Sequence, residues 1–449
     1  MLILAAISGL AIAYRPAPKA ADLTVWVFAD SHARTYRGDG TPGQHTLVDR
    51  YKEMTGKTVQ VKLVNAQAIN LRMNAIFDRN NNDGEVPDLC EIEIGSVGRY
   101  FRPPLKDVGW LPLNDMLDKS GWRDKIIASR LATWSSRGKI FGIPHDVHPT
   151  SLVYRADLFK EAGVDLESAK TWPDFQQKCL QFQEYWRAHG SPNRRAIEVQ
   201  TASSDNLIIM MMQQHINPVD DQNRVYINDP RVAKTLAFCV ECAVGPKAIG
   251  ADITPGPSMF MRDLARGDIC VFFMPDWRNG YIKRGCPEVA GKVRMMPLPK
   301  FNPGDARTAS WGGTMVGIPR MAKDPQASFK LAEFLYLSKE AIDARRATDD
   351  ILPPVKAMWD DPEYQEPDPF YGGQRTGALY VELARELPTR LVTPFTSIAL
   401  ATLNRVVHDA MELGKEGYAG ADLEQRCQKL LDDAADDVRK RIEFGKFEG

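Results

Sequence analysis

Residues 23–29, LTVWVFA, make an apolar, β-rich run that predicts a buried strand. Residues 44–55 carry helical spacing through Leu47, Val48, Tyr51 and Met54, and the pattern stops at Gly56. A second strand is expected at 58–64, a second helix at 67–77 and a third strand at 87–94. Strand, helix, strand, helix, strand is the order of a parallel α/β sheet, in which ligands sit past the carboxyl ends of the strands. Residues 138–173 read as strand, Pro-containing loop, strand and helix, with another helix opening at Thr171-Trp172-Pro173. Residues 203–215 and 229–244 predict helices of a second, more helical lobe, and 260–273 a helix, a turn at Gly267 and a strand. Further on, 327–339 predicts a helix with Phe329, Ala332, Phe334, Leu335 and Leu337 inward. Residues 360–371, rich in Pro and acids, read as a loop, and 397–414 and 421–444 as closing amphipathic helices.

A chain of 449 residues exceeds one ordinary core and predicts two lobes or more. Its hydrophobic content of 44% and charged content of 26% are those of a globular protein. Lys and Arg total 57 against 58 Asp and Glu, which gives no support to a nucleic-acid partner held by general electrostatics. Residues 1–13, MLILAAISGLAIA, are apolar but shorter than the roughly 20 residues that span a bilayer. With the small-x-small ending at Ala11-Ile12-Ala13, residues 1–21 read as an export signal or anchor. Seven cysteines are odd for an exported chain, so at least one is free or paired between molecules. Cys239-x-x-Cys242 sits in a helical pattern without a second ligand pair and reads as helix thiols, whereas Cys270 and Cys286 could bridge.

Two short motifs lose to plainer readings. Gly38-x-Gly40-x-x-Gly43 matches a dinucleotide fingerprint in form, but it starts about eight residues after the first strand and holds Pro42, so a surface loop is expected. Residues 78–84, DRNNNDG, lack the spacing of a calcium loop and read as a turn. His145-Asp146-x-His148 is the tight cluster able to bind metal or move protons; its other reading is a polar loop at a crossing between lobes, lining a solute cleft. The second reading is taken, and no metal, cofactor or catalytic residue is expected.

The stretch 138–173 resembles the extracellular solute-binding proteins of family 1, the sugar-carrying components of ABC importers. Gly138, Lys139, Gly142, Ile143, Pro144, Leu152, Tyr154, Asp157, Leu158, Phe159, Ala162, Gly163, Thr171 and Trp172 fit that family's pattern, while Arg155 stands where it prefers Asn. Residues 109–117, 260–277, 293–299 with 310–319, and 350–354 resemble further family segments. The resemblance implies a two-lobed α/β periplasmic-binding-protein fold with a hinge and an interlobe ligand cleft. The lobes are expected at 22–146 plus 298–340 and at 147–297 plus 341–449. It implies a monomeric, periplasmic or otherwise extracytoplasmic protein, not an enzyme, that captures a sugar or oligosaccharide and delivers it to a membrane-embedded ABC permease.

A pyranose presents a face of C–H bonds and an edge of hydroxyls, so its site needs an aromatic plate and a polar rim. Trp277 follows a strand, is flanked by Asp276 and Arg278, and falls where the family places its platform Trp. Trp311 precedes Gly312-Gly313, where backbone can approach a ligand; it reads equally as site or core. Asp30 falls at the family's acidic contact, and Ser31 departs from its basic one. Glu91 and Glu93 alternate on the third strand, and one of them, taken as Glu93, points into the cleft. His148 and Asp146 complete the expected lining, with His148 where the family has an acid. The absence of an aromatic near Ile92 weakens the case for a maltodextrin-like ligand. Three alternatives stay open. One is the same fold holding a phosphorylated polyol or metal chelate through Arg278, Arg307 and Arg375. Another is an extracytoplasmic metal-dependent hydrolase built on His145, Asp146 and His148. The third is a sensory subunit.

Overall fold

The computed structural model describes residues 20–78, 85–252 and 257–445. The expected export segment lies almost wholly outside these residues, as does the 78–84 turn from residue 79 onward. Among the described residues no helix is long and apolar enough to cross a membrane.

The chain opens with β1 (Leu23–Val27), the helices Asp30–Arg37 and Leu47–Thr55, β2 (Val59–Leu63), the helix Ala66–Phe77 and β3 (Leu89–Glu93). It then reaches β4 (Ile143–Pro144) and crosses to β5 (Thr150–Arg155), β6 (Arg195–Val199), β7 (Gly250–Asp252), β8 (Ile269–Pro275) and β9 (Val293–Met296) before returning as β10 (Thr314–Gly317). Two five-stranded sheets result, ordered β2-β1-β3-β10-β4 and β9-β5-β8-β6-β7. In the first, β1 runs parallel to β2 and β3, and β10 runs antiparallel to β3 and β4. In the second, β8 is antiparallel to β5 and parallel to β6.

Each sheet is covered on both faces, so its central strands are apolar on both sides. Val25 and Val27 of β1 join one core with Leu335 and Leu337, while Trp26 joins the opposite core with Met73 and Trp110. In the second sheet Leu152 and Phe273 face one core, and Val153 and Phe272 the other. Helix ends follow local chemistry. Thr46 and Asp49 close a capping box, and Gly56 ends that helix in the left-handed conformation. Thr171 caps the helix Trp172–Ala188, with Pro173 in its first turn.

Three readings of the sequence need correction. Residues 30–37, left without an element between the first strand and Gly38, form a helix whose His32, Ala33, Thr35 and Tyr36 are buried. Its short length and polar composition, DSHARTYR, hide the apolar stripe. The helix expected over 327–339 is Pro325–Ala332 followed by a π-helical turn, Glu333–Leu337. Ser338 then turns extended and caps a new helix, Lys339–Asp349. The loop at 360–371 contains short 3₁₀ turns at Pro362–Gln365 and Pro369–Tyr371. All seven cysteines are free, so Cys270 and Cys286 form no bridge; each is buried, and the Cys270 thiol donates to the carbonyl of Gly267 at 3.4 Å.

Phe159 stacks on Phe182 at 4.0 Å between ring centroids and meets Tyr154 edge-on. We expect Phe159→Ala to cost about 3–5 kcal/mol by removing a buried ring and leaving a cavity. Urea unfolding measures this, and an unchanged midpoint would place the ring outside the second-lobe core.

Candidate ligand-binding site

Two strands cross between the sheets side by side. Residues 145–149 lead from β4 to β5, and 308–313 run back against them toward β10. The backbone of Thr150 donates to Ala309, and that of Trp311 to His148. The packing is close. At Gly142, just before β4, a Cβ would meet the Met315 side chain at 2.6 Å. His148 adopts φ 56°, a left-handed conformation unusual for a residue with a side chain.

The crossing is organised on Asp146, which is fully buried. Its Oδ1 accepts from Arg130 Nη2 at 2.7 Å. Its Oδ2 accepts from the Thr314 backbone at 3.0 Å and faces His148 Nε2 at 3.1 Å and His145 Nδ1 at 3.3 Å. The other nitrogen of His148 lies 2.5 Å from Asp276 Oδ1, and Asp276 Oδ2 accepts from the Leu352 backbone. Burial opposes the charged form of His148, but Asp146 and Asp276 outweigh it and raise its pKa from 6.5 to about 9. Burial would also lift Asp146, yet His148, His145 and Arg130 hold it well below the usual carboxylate range. Burial, with His32 and Arg345 nearby, pushes His145 well down and keeps it neutral.

Directly beyond Asp276 stands an aromatic corner. Trp277 and Trp311 are both half-buried and meet edge-to-face at 5.8 Å. The Trp277 indole N–H donates to the Trp311 carbonyl at 3.0 Å. Gly312, with φ 90°, completes the corner: a Cβ there would sit 3.1 Å from the Trp277 indole nitrogen and 3.5 Å from His148. The Arg278 guanidinium lies 4.4 Å from the Trp311 ring centroid and is held by Glu198 at 2.8 Å.

The residues expected in the cleft thus divide. Trp277, Trp311, Gly312 and Arg278 converge. His148, Asp146 and Asp276 lie beside them, but their polar atoms are engaged with one another and with backbone, so they brace the corner from behind. Glu93 ends β3, half-buried, and accepts from the Gly95 backbone at 3.0 Å. Burial raises its pKa, with Arg390 pulling the other way. Asp30 is exposed and paired with Arg34 at 3.0 Å. Glu91, its alternating neighbour, is buried among partners of the first core.

Three further residues escaped the sequence reading. Tyr281 is partly exposed and meets Trp277 edge-on at 6.0 Å; Arg34 and Asp30 act on it electrostatically. Arg390 donates to the Ser310 carbonyl at 3.4 Å and, among the described residues, has no ion-pair partner. Burial lowers its pKa, opposed by the charges of Asp205 and Glu93. Asp205 opens the helix Asp205–Gln213. Tyr281 lay one helical turn beyond Trp277 and could have been read from that spacing. Residues 387–394, LPTRLVTP, carry no periodicity that marks Arg390. An aromatic corner with an acid from the first lobe, an acid from the second and a cation without an ion-pair partner can hold a ring's apolar face and fix its hydroxyls.

A histidine whose pKa rises on folding contributes stability that is complete below its unfolded value of 6.5 and is lost as pH climbs through about 9. We therefore expect stability to fall across that window and His148→Gln to flatten the fall, while being less stable near neutrality because two buried carboxylates lose their cation. Urea unfolding of both proteins at several pH values measures this; parallel slopes would mean that His148 is uncharged in the fold.

No family model matches the chain. It is 23% identical over 407 residues to the arabinooligosaccharide-binding protein of Halalkalibacterium halodurans, covering 87% of this chain and 85% of the relative. The arabinooligosaccharide-binding protein of Bacillus subtilis is also 23% identical, over 87% of this chain and 88% of its own. Among solved structures, the ABC transporter associated binding protein from B. animalis subsp. lactis, in complex with beta-1,6-galactobiose, superposes with a TM-score of 0.68 at 18% identity; the match covers 95% of this chain and 98% of that one. The resemblance to extracellular solute-binding proteins of family 1 holds along most of the chain, and its two-lobed fold is that of the sugar-binding proteins of ABC importers.

Proposed function

We propose that this protein captures an oligosaccharide between its lobes outside the cytoplasm and delivers it, unaltered, to an ABC permease. The observation that carries the reading is the corner formed by Trp277, Trp311 and Gly312 at the lobe crossing. Trp277 and Trp311 offer apolar faces to the sugar ring, and Tyr281 extends the plate. Glu93, Asp205 and Arg390 take the hydroxyl edge. Hinge closure at the crossing strands then buries the ligand. All of these proposed contacts come from one chain, which suits a monomer. The relatives' names favour arabinose oligosaccharides as the first ligands to test.

The alternatives draw less support. Arg278 is neutralised by Glu198, and Arg307 by Glu382 and Glu386, which leaves neither free for a phosphate. For a hydrolase at His145, Asp146 and His148, both His148 nitrogens are engaged, and the unpartnered His145 Nε2 is buried where no substrate reaches it without rearrangement.

The test is mass spectrometry of solute released from gently denatured protein, with a thermal-shift screen of arabinose, galactose and glucose oligosaccharides. Binding to the native state raises the melting temperature as ligand exceeds its dissociation constant. A saturable shift with one sugar class is the expected result; shifts with phosphorylated compounds alone would overturn the sugar reading. Against the sugar so found, Trp277→Ala is expected to weaken binding roughly thirtyfold or more, about 2 kcal/mol for a central aromatic. Arg390→Gln is expected to weaken it while the fold persists, as followed by circular dichroism and calorimetry.

A further inference from the structure

His32, Glu91 and His145 come from three separate segments: the helix Asp30–Arg37, β3 and the start of the crossing. One donor atom from each lies within 4.8 Å of the others. All three are buried, at 6%, 0% and 1% exposure. Within this cluster His145 Nε2 is buried and, among the described residues, has no hydrogen-bond partner. Its Nδ1 faces the Asp146 carboxylate at 3.3 Å, so a neutral ring that donates from Nδ1 leaves a bare lone pair on Nε2. Glu91 is braced as well, since its Oε1 accepts from the Tyr336 hydroxyl at 2.8 Å, and its Oε2 faces His32 Nδ1 at 2.8 Å. A carboxylate behind a histidine and a hydroxyl behind a carboxylate are the supports that orient metal ligands.

We propose that His32, Glu91 and His145 form a site for a divalent transition metal, zinc above all, that clasps the first helix, β3 and the crossing together. Two imidazoles and one carboxylate suit zinc in donor type and number, with water or a neighbouring hydroxyl as the fourth ligand. Zinc bonds of about 2.0–2.2 Å set tetrahedral ligand atoms about 3.4 Å apart, so the donors must shift, the His32–Glu91 pair opening and the widest pair closing. The His32 and His145 rings stack at 4.0 Å with an interplanar angle of 28°, so one ring must turn to aim both nitrogens at a shared point. The charge environment is mixed. Glu91 and Asp146 favour a cation, and Arg345, which donates to the His145 carbonyl, opposes one. The site is distinct from the aromatic corner and does not depend on the identity of the sugar.

Chelator-treated full-length protein would be titrated with zinc alone and bound metal counted by equilibrium dialysis with elemental analysis. One zinc per chain is expected, with affinity falling at least about tenfold in His32→Gln and in His145→Gln. The control His408→Gln, at an exposed position, keeps full affinity. Binding absent from the wild type, or unchanged in both variants, overturns the proposal. Should the variants fail to fold, cobalt substitution of the wild-type chain decides. Intense four- or five-coordinate absorption with two paramagnetically shifted imidazole protons supports the site, and the spectrum of the aquo ion overturns it.

Discussion

The structure depends on one buried carboxylate. Asp146 gathers Arg130, His145, His148 and the backbone of Thr314 at the point where the chain passes from one sheet to the other. A lone charge in such a place would cost several kcal/mol in lost solvation. It is tolerated because both carboxylate oxygens have partners and because Arg130 and His148 return the charge. Asp276 repeats the arrangement from the second lobe, so the four groups alternate in sign along Arg130, Asp146, His148 and Asp276.

Such a network holds geometry more than it adds stability. It spans both crossing strands and the end of β8, and Trp277 begins the next helix directly after Asp276. The position of the aromatic plate is therefore set by the hinge chemistry behind it. The helix Lys339–Asp349 reinforces the junction. Its Ala341 and Ile342 belong to the first core, while Asp349 pairs with Arg284 on the helix that carries Trp277. The buried charges fix the crossing strands to both sheets at this junction.

Around this frame the polar groups have separate duties. Those fully buried, Asp146, His148 and Asp276, satisfy each other. The half-buried Glu93, Asp205 and Arg390 act on one another through their charges without closing an ion pair among the described residues, and Glu93 and Arg390 each also bond to nearby backbone. The distinction rests on distance, and residue type alone does not reveal it.

Much of the fold was legible along the chain. The apolar run 23–29, the capped periodic segment ending at Gly56, and the Thr171-Trp172-Pro173 helix start each encode their element through local rules of periodicity and capping, and each formed. The place of Trp277 just past a strand end was legible as well, and in the structure it opens the helix that follows β8. What stayed hidden was decided by contacts distant in sequence. The helix Asp30–Arg37 is stabilised by burial against Tyr336 and Glu91, and its own residues show only a weak apolar stripe. Asp276 looked like a rim residue until His148, 128 positions away, claimed it. Arg390 acquired its place from the Ser310 carbonyl and the opposing lobes. Local propensity and capping are properties of a few neighbouring residues and can be read in order. Which polar atom is spent inside the protein and which remains for a ligand is a property of three-dimensional proximity, and only the tertiary structure decided it.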